Sequence, residues 1–180
     1  MIILVGASAS GKTEVAKNLA KVYKITKVIT HTTRAMRVNE TQDVDYHFVT
    51  KEQFLALKQN DYFVETTFYN GNYYGTSKKE ISDEKCLIVD PNGLKSFQLL
   101  SDPRIVTFCL VCSKDIRRKR MEQRGDLEEN IIKRLSNDDI FFSKEAIGEV
   151  DYLINSEEMS IDELTDLVYN IYKKHLNNLK

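Results

Sequence analysis

The chain has 180 residues, 42% of them hydrophobic and 29% charged, with a net charge of −1 and a pI near 6.3. That length suffices for one compact unit with a real core. The near-neutral balance supplies no large basic field, which argues against nucleic acid as a partner, and the five-residue apolar start is too short for a membrane span and lacks the marks of a secretory leader.

The apolar run over 1–5 predicts a buried strand. Residues 6–13 then read Gly-Ala-Ser-Ala-Ser-Gly-Lys-Thr, a complete G-x-x-x-x-G-K-[ST] phosphate-binding loop. In such a loop the backbone N–H groups of Gly6, Ala7, Ser8, Ala9, Ser10 and Gly11 wrap a polyphosphate, and the N-terminus of the next helix adds positive dipole at the same point. Lys12 reaches the β- and γ-phosphates, and the Thr13 hydroxyl takes a coordination position on Mg²⁺. Nucleoside triphosphate is therefore the first ligand expected. Apolar residues at helical spacing over 13–23 predict the helix that the loop requires.

Beyond it, strands are expected over 27–30, 86–90, 105–111 and 152–154, and helices over 94–100, 114–123, 128–145 and 161–179. Asp126-Leu-Glu-Glu129 resembles a capping box opening the third of these helices. The alternation predicts an α/β fold in which helices flank a parallel five-stranded sheet, with ligands at the carboxyl ends of the strands. Cys86, Cys109 and Cys112 are an odd set in apolar stretches, read as free thiols of a reducing, cytoplasmic compartment. His31, His47 and His175 are scattered and read as packing or surface residues.

Between 32 and 77 the pattern changes. Aromatic segments over 46–49 and 62–69 read as antiparallel strands joined by a short helix over 51–58, with a turn over 70–72. A β-rich insertion in an α/β core suggests a second binding lobe. Within it Arg34 and Arg37 lie three apart, and two planar guanidinium forks can hold a dianionic phosphate. The alternative is that they are surface charges over tyrosines that pack the lobe. On the helix over 114–123, Arg120 and Arg124 share a face, while Arg117, Arg118 and Lys119 are expected on a solvated one.

The run Thr32-Thr-Arg-Ala-Met-Arg37, with Glu40, Asp45-Tyr46-His-Phe-Val49 and Gly71-Asn-Tyr-Tyr-Gly-Thr76, resembles the GMP-binding lobe of guanylate kinases. With the phosphate loop and Arg124-Gly125, the resemblance covers nearly the whole chain. It implies a single P-loop NTPase-type domain over 1–180, with a core over 1–30 and 80–180, a monophosphate-binding lobe over about 31–79 and a helical lid over about 121–137. It implies that Thr30, Arg34, Arg37, Tyr46 and Tyr74 surround the GMP phosphate and that Glu65, Thr76 and Asp90 face guanine. A carboxylate suits that base, whose N1–H and N2 amine point the same way. It further implies that Lys12, Arg120, Arg124 and Arg134 stabilise charge during transfer and that Asn155 touches adenine. Ala7 and Ala9 stand where the family usually carries proline and glycine, and Ile88 where it carries an acidic residue.

The expected activity is phosphorylation of GMP and dGMP to the diphosphates in purine nucleotide metabolism, with ATP as donor and Mg²⁺ as cofactor, by a monomer or homodimer. A same-fold kinase of a phosphorylated sugar such as ribose bisphosphate, and a non-catalytic interaction module, are the alternatives. The first lacks a use for Glu65, and the second lacks a use for Lys12 and Thr13.

Overall fold

The computed structural model describes every residue except Asn39, Asn70 and Lys180, and leaves aside the side chain of Tyr69. Strand β1 (Ile2–Val5) is buried along its whole length. It leads through the phosphate loop into α1 (Lys12–Tyr23) and on to β2 (Thr26–Lys27). After the lobe come β7 (Lys85–Ile88), α3 (Pro91–Gln98), β8 (Val106–Val111), α4 (Lys114–Gln123), α5 (Glu128–Phe141), α6 (Lys144–Ile147), β9 (Tyr152–Asn155) and α7 (Ile161–Asn177). The core sheet has the order β2-β7-β1-β8-β9, and every pairing is parallel.

Strand β1 is central because helices cover both faces, so a strand with no polar side chain is the one that fits there. Its residues alternate between the two layers. Ile2 and Leu4 join Leu19, Phe108, Leu110, Leu164, Val168 and Tyr172 on the side of α1 and α7. Met1, Ile3 and Val5 join Leu87, Leu94, Phe97 and Ile147 on the side of α3 and α6. Because β7 and β8 leave β1 in opposite directions, the carboxyl end of β1 opens at the point where the strand order reverses, the usual ligand position in such sheets.

The second sheet has the order β4-β3-β6-β5, built from β3 (His31–Thr32), β4 (His47–Phe48), β5 (Phe63–Tyr69) and β6 (Asn72–Ser77), with α2 (Lys51–Gln59) packed beneath it. Thr50 and Gln53 form a capping box that starts α2. The lobe has its own aromatic core: Phe54 and Phe63 stack at 4.6 Å, and the buried His31 ring packs against Tyr62, Phe63 and His47. His31 is thus a packing residue, as its isolation in sequence predicts.

Four local expectations are corrected. The strand expected over 27–30 stops at Lys27, because Ile29 gives its N–H to the Glu80 carboxylate and Thr30 turns its carbonyl to the His47 N–H of the second sheet. The segments around 46–49 and 62–69 are not partners: β4 lies parallel to β3 at one edge, and β5 pairs antiparallel with β6 at the other. The helix expected over 128–145 is divided, since the Ser143 hydroxyl accepts the Ala146 N–H and starts α6. Asp126 does not cap α5, whose N-cap is Leu127, because arginines take its carboxylate. Of the expected turn over 70–72, Asn70 lies outside the described residues, while Gly71 has φ 77°, a left-handed conformation suited to glycine. No helix among the described residues is long and apolar enough to cross a membrane.

Gly75, on β6, lies under the aromatic core. A methyl group there would sit 3.0 Å from both Phe54 and Phe63. Gly75→Ala is expected to lower stability by about 1–3 kcal/mol through overpacking. A lowered denaturation midpoint in urea with an unchanged slope would register it, and an unchanged midpoint would show that the rings yield freely.

Candidate active site

The phosphate loop leaves β1 at Gly6, whose φ is 140° and where a Cβ would lie 2.3 Å from the Leu110 carbonyl oxygen. Only glycine allows the loop to pass β8 so closely. Gly11 ends the loop at φ 102°. Between them Ala9 is held at φ 60°, left-handed backbone that costs a non-glycine residue about 1–2 kcal/mol. Its packing against Met121, Ile131 and Leu135, the small core shared by α4 and α5, offsets that strain. The alanine therefore ties the loop to the two helices of the expected lid.

Lys12 Nζ donates to the Ala7 carbonyl at 2.7 Å and to Ser10 Oγ at 3.3 Å, with the Phe142 ring 5.9 Å away. Burial pushes its ammonium down to about 8, opposed chiefly by the nearby Asp138 carboxylate. Lys12 and Thr13 line a cavity of about 530 Å³ together with Arg120, Arg124 and Ser160. The Thr13 hydroxyl forms no hydrogen bond among the described residues, so it is free to serve as an oxygen ligand for a hard cation beside the loop. Asn155 ends β9 nearby and is exposed. Its side-chain oxygen accepts the Glu157 N–H at 3.0 Å, and Ser160 and Ile161, not Asn155, line the cavity.

Arg120, Arg124 and Arg134, the arginines expected to stabilise charge, all have partners within the chain. Arg120 donates to the Ser156 carbonyl at 2.6 Å and to the Ala9 carbonyl at 3.2 Å. Arg124 and Arg134 both reach Asp126: Arg124 Nε lies 3.0 Å from Oδ1, its Nη2 bonds Oδ2, and Arg134 Nη1 lies 3.3 Å from Oδ2. The structure thus gathers Arg120, Arg124 and Lys12 around one cavity and holds Arg134 to Arg124 through a shared carboxylate.

In the lobe, Arg34 Nη2 meets Glu40 at 2.7 Å, with both side chains 16% exposed, and the guanidinium lies over the Tyr46 and Phe48 rings. Tyr46 and Tyr74 approach edge to face at 6.3 Å. Arg34, Tyr46 and Tyr74 thus form one cluster. Arg37 is exposed, and its backbone N–H rather than its side chain meets Glu40. Thr30 contributes its carbonyl to His47 N–H at the start of the lobe.

At the other end of the lobe a bulge in β5 sets the expected guanine-facing group. Phe63 pairs with Ser77, yet Glu65 pairs with Thr76, so Val64 is the extra residue and Glu65 is turned to stand opposite Thr76. Thr76 Oγ1 donates to Glu65 Oε1 at 2.7 Å. Burial raises the Glu65 pKa, with the Thr76 hydrogen bond opposing and Asp90 adding to the rise. Asp90 caps α3 by accepting the Gly93 N–H at 2.7 Å. Ile88, 37% exposed, ends β7 just before it. Glu65 is therefore hydrogen-bonded to the Thr76 hydroxyl and lies within electrostatic reach of the Asp90 carboxylate.

Two groups beside the loop escape a reading of the sequence. Arg117, expected on a solvated face, is buried and paired with Asp138 and Asp139 of α5. Its spacing of four from the buried Met121 is the signal that places it inward. Ser156 is also buried, and its hydroxyl donates to the Ser10 carbonyl at 2.9 Å, bracing the loop. Among the described residues, no three His, Cys, Asp or Glu side chains gather as a metal cluster.

The sequence model of the guanylate kinase family matches residues 1–172. The guanylate kinase of Anaplasma phagocytophilum is 30% identical, over 96% of this chain and 85% of that one. That of Schizosaccharomyces pombe is 31% identical, over 88% of this chain and 83% of its own. Among solved structures, the A. phagocytophilum guanylate kinase superposes with a TM-score of 0.66 at 27% identity, covering 97% of this chain and 84% of that one. An uncharacterised protein from Eubacterium ventriosum shares the fold, with a TM-score of 0.56 at 22% identity.

The buried Lys12 generates a pH prediction. Above pH 8 its ammonium loses its proton in the free protein, so affinity for a polyphosphate should fall as pH rises through about 8. A bound polyphosphate pulls the pKa back toward 10.5, so binding near pH 8.5 should take up a proton. Calorimetry of ATP binding in two buffers of different ionisation enthalpy reads that uptake. Lys12→Met should abolish it, and equal heats in both buffers for the unmodified protein would refute the assignment.

Proposed function

The chain belongs to the guanylate kinase family, and from that premise we propose its full reaction: transfer of the γ-phosphoryl group of ATP to the phosphate of GMP or dGMP, giving ADP and the nucleoside diphosphate. The observation that carries the base assignment is the Glu65–Thr76 pair, set in place by the bulge and supported by Asp90. Guanine presents two adjacent donors that one carboxylate can accept, whereas adenine would leave that half-buried carboxylate without a matching pair of donors. A phosphorylated sugar has no such edge. GMP and dGMP share both base and phosphate, which is why both are included.

Arg34, Tyr46 and Tyr74 are one cluster of donors for the acceptor phosphate, with Arg37 and Thr30 beside them at the entry to the lobe. Glu40 keeps the Arg34 guanidinium in place beforehand, which reduces the cost of ordering it. Gly6 to Gly11 hold the donor's phosphates through backbone N–H groups, and Lys12 regains its charge against them. Mg²⁺ fits the Thr13 hydroxyl, and when bound it would neutralise charge between the donor phosphates. Arg124 and Arg134 exchange Asp126 for phosphate oxygens as the lid closes, and Arg120 brings the loop carbonyls under the same positive field. The attacking oxygen belongs to a phosphate that is already anionic near neutral pH. No general base is needed, and positioning and charge stabilisation supply the rate.

Release of ADP is the direct test, with Mg²⁺·ATP against GMP, dGMP, AMP, UMP and CMP in separate reactions. Turnover confined to the guanine nucleotides is expected, and turnover with AMP alone would refute the acceptor. Glu65→Gln should lower kcat/KM for GMP by about a hundredfold, since its amide NH2 sets a donor against one of guanine's two donors while the carbonyl can accept only the other. KM for ATP should stay unchanged. An unaltered kcat/KM would remove Glu65 from base recognition.

A further inference from the structure

Two buried charges stand against the phosphate loop, and the reaction derived above makes no use of either. Arg117 on α4 has a side chain 7% exposed, and Asp138 on α5 has one 10% exposed. Arg117 Nη1 lies 3.3 Å from Asp138 Oδ2, Nη2 lies 3.0 Å from Asp139 Oδ1, and Nε has no hydrogen-bond partner among the described residues. The same Asp138 Oδ2 accepts the Ser8 backbone N–H at 2.6 Å. Asp139 differs in kind: it is 45% exposed and is shared with Lys114 at 2.6 Å.

The position of Asp138 is paradoxical for a loop that binds anions. A carboxylate in a dry environment repels a neighbouring polyphosphate far more strongly than one in water does. Yet this carboxylate is built into the wall of the loop and holds one of its amides. Arg117 resolves the conflict, because its buried guanidinium meets the same oxygen that accepts the Ser8 N–H and offsets its charge. The geometry also separates the two roles of Asp138. Its oxygen as a hydrogen-bond acceptor fixes the backbone at Ser8, whereas its negative charge helps to keep Lys12 protonated and, left unpaired, would repel a phosphate ligand.

We propose that Arg117 and Asp138 are positioning residues of the donor site: Asp138 fixes the outer turn of the phosphate loop through the Ser8 N–H, and Arg117 neutralises Asp138 so that the loop accepts a polyphosphate. This rests on the reading of ATP as donor. A pair that only welds α4 to α5 would affect stability and would leave nucleotide affinities in proportion. The positioning role instead predicts effects that depend on charge sign, confined to the donor.

The test is a double-mutant cycle read by the equilibrium Kd of ATP and by KM for ATP against KM for GMP. Arg117→Met should raise the Kd of ATP about tenfold, since it leaves an uncompensated carboxylate beside the loop, with KM for GMP within about twofold. Read at pH 6.5, well below the Lys12 titration so that loss of the Asp138 charge does not discharge it, Asp138→Asn keeps an oxygen for Ser8 and should stay within about threefold of the unmodified protein, and the double variant should return to that range. Additive losses in the double variant, or an Arg117→Met protein that binds ATP normally, would overturn the proposal. Should Arg117→Met fail to fold, Asp138→Ala against Asp138→Asn decides the matter. Both remove the charge, but only alanine removes the acceptor, so alanine should weaken ATP binding at least about fivefold more. Equal affinities of the two would overturn the anchoring of Ser8. The donor assignment fails separately, by absence of ATP binding in the unmodified chain.

Discussion

Cationic side chains left unpaired repel one another, and in this structure several around the phosphate loop and in the lobe are met by a partner within the chain. Lys12, Arg34, Arg117, Arg124 and Arg134 each have a compensating group within the chain: the Ala7 carbonyl for Lys12, Glu40 for Arg34, Asp138 and Asp139 for Arg117, and Asp126 for the last two. These partners divide by burial. Arg124 and Arg134 are half exposed, so their pairing with Asp126 is weak and exchangeable. Arg117 and Asp138 are buried, and separating them would strand a charge. The pairs that the proposed reaction would exchange are thus on the surface, and the pair it leaves intact is inside.

The loop and the helices α4 and α5 are joined by packing as well as by hydrogen bonding. Ala9 adopts a backbone conformation that glycine would adopt more cheaply, yet its methyl group meets Met121, Ile131 and Leu135. Arg120 meets the Ala9 carbonyl from the same helix. The loop and the two helices α4 and α5 therefore share a packed core as well as a hydrogen bond. The lobe, by contrast, carries a separate aromatic core, and it joins the main core where Val64 of β5 packs with the cluster around Leu94 and Phe97. The bulge that places Glu65 lies at that junction, with Val64 as its extra residue.

Much of this was legible in the sequence, for identifiable reasons. The phosphate loop is local: eight consecutive residues define its turn, and its flanking strand and helix follow from short-range periodicity. The long apolar runs at β1, β7 and β8 could only be strands buried on both faces. The short strands β3 and β4 were hard to read because two residues carry no periodicity, and their partners come from distant parts of the chain. Arg117 looked solvated because its sequence neighbours are basic, and only the carboxylates of α5 make a buried guanidinium tolerable there. Asp126 looked like a helix cap until Arg124 and Arg134 competed for it.

The sequence by itself determined the chemistry of the ligand, because a loop that binds phosphate through its own backbone needs only glycine, lysine and a hydroxyl in fixed order. It determined the alternating architecture for the same reason, since hydrophobic period is a property of neighbours. Which charges are sheltered, which are lent to the surface, and which carboxylate stands opposite Thr76 were decided only by the tertiary structure. Burial, register and the choice among competing ion partners depend on segments that meet in space after being separated by tens of residues in the chain.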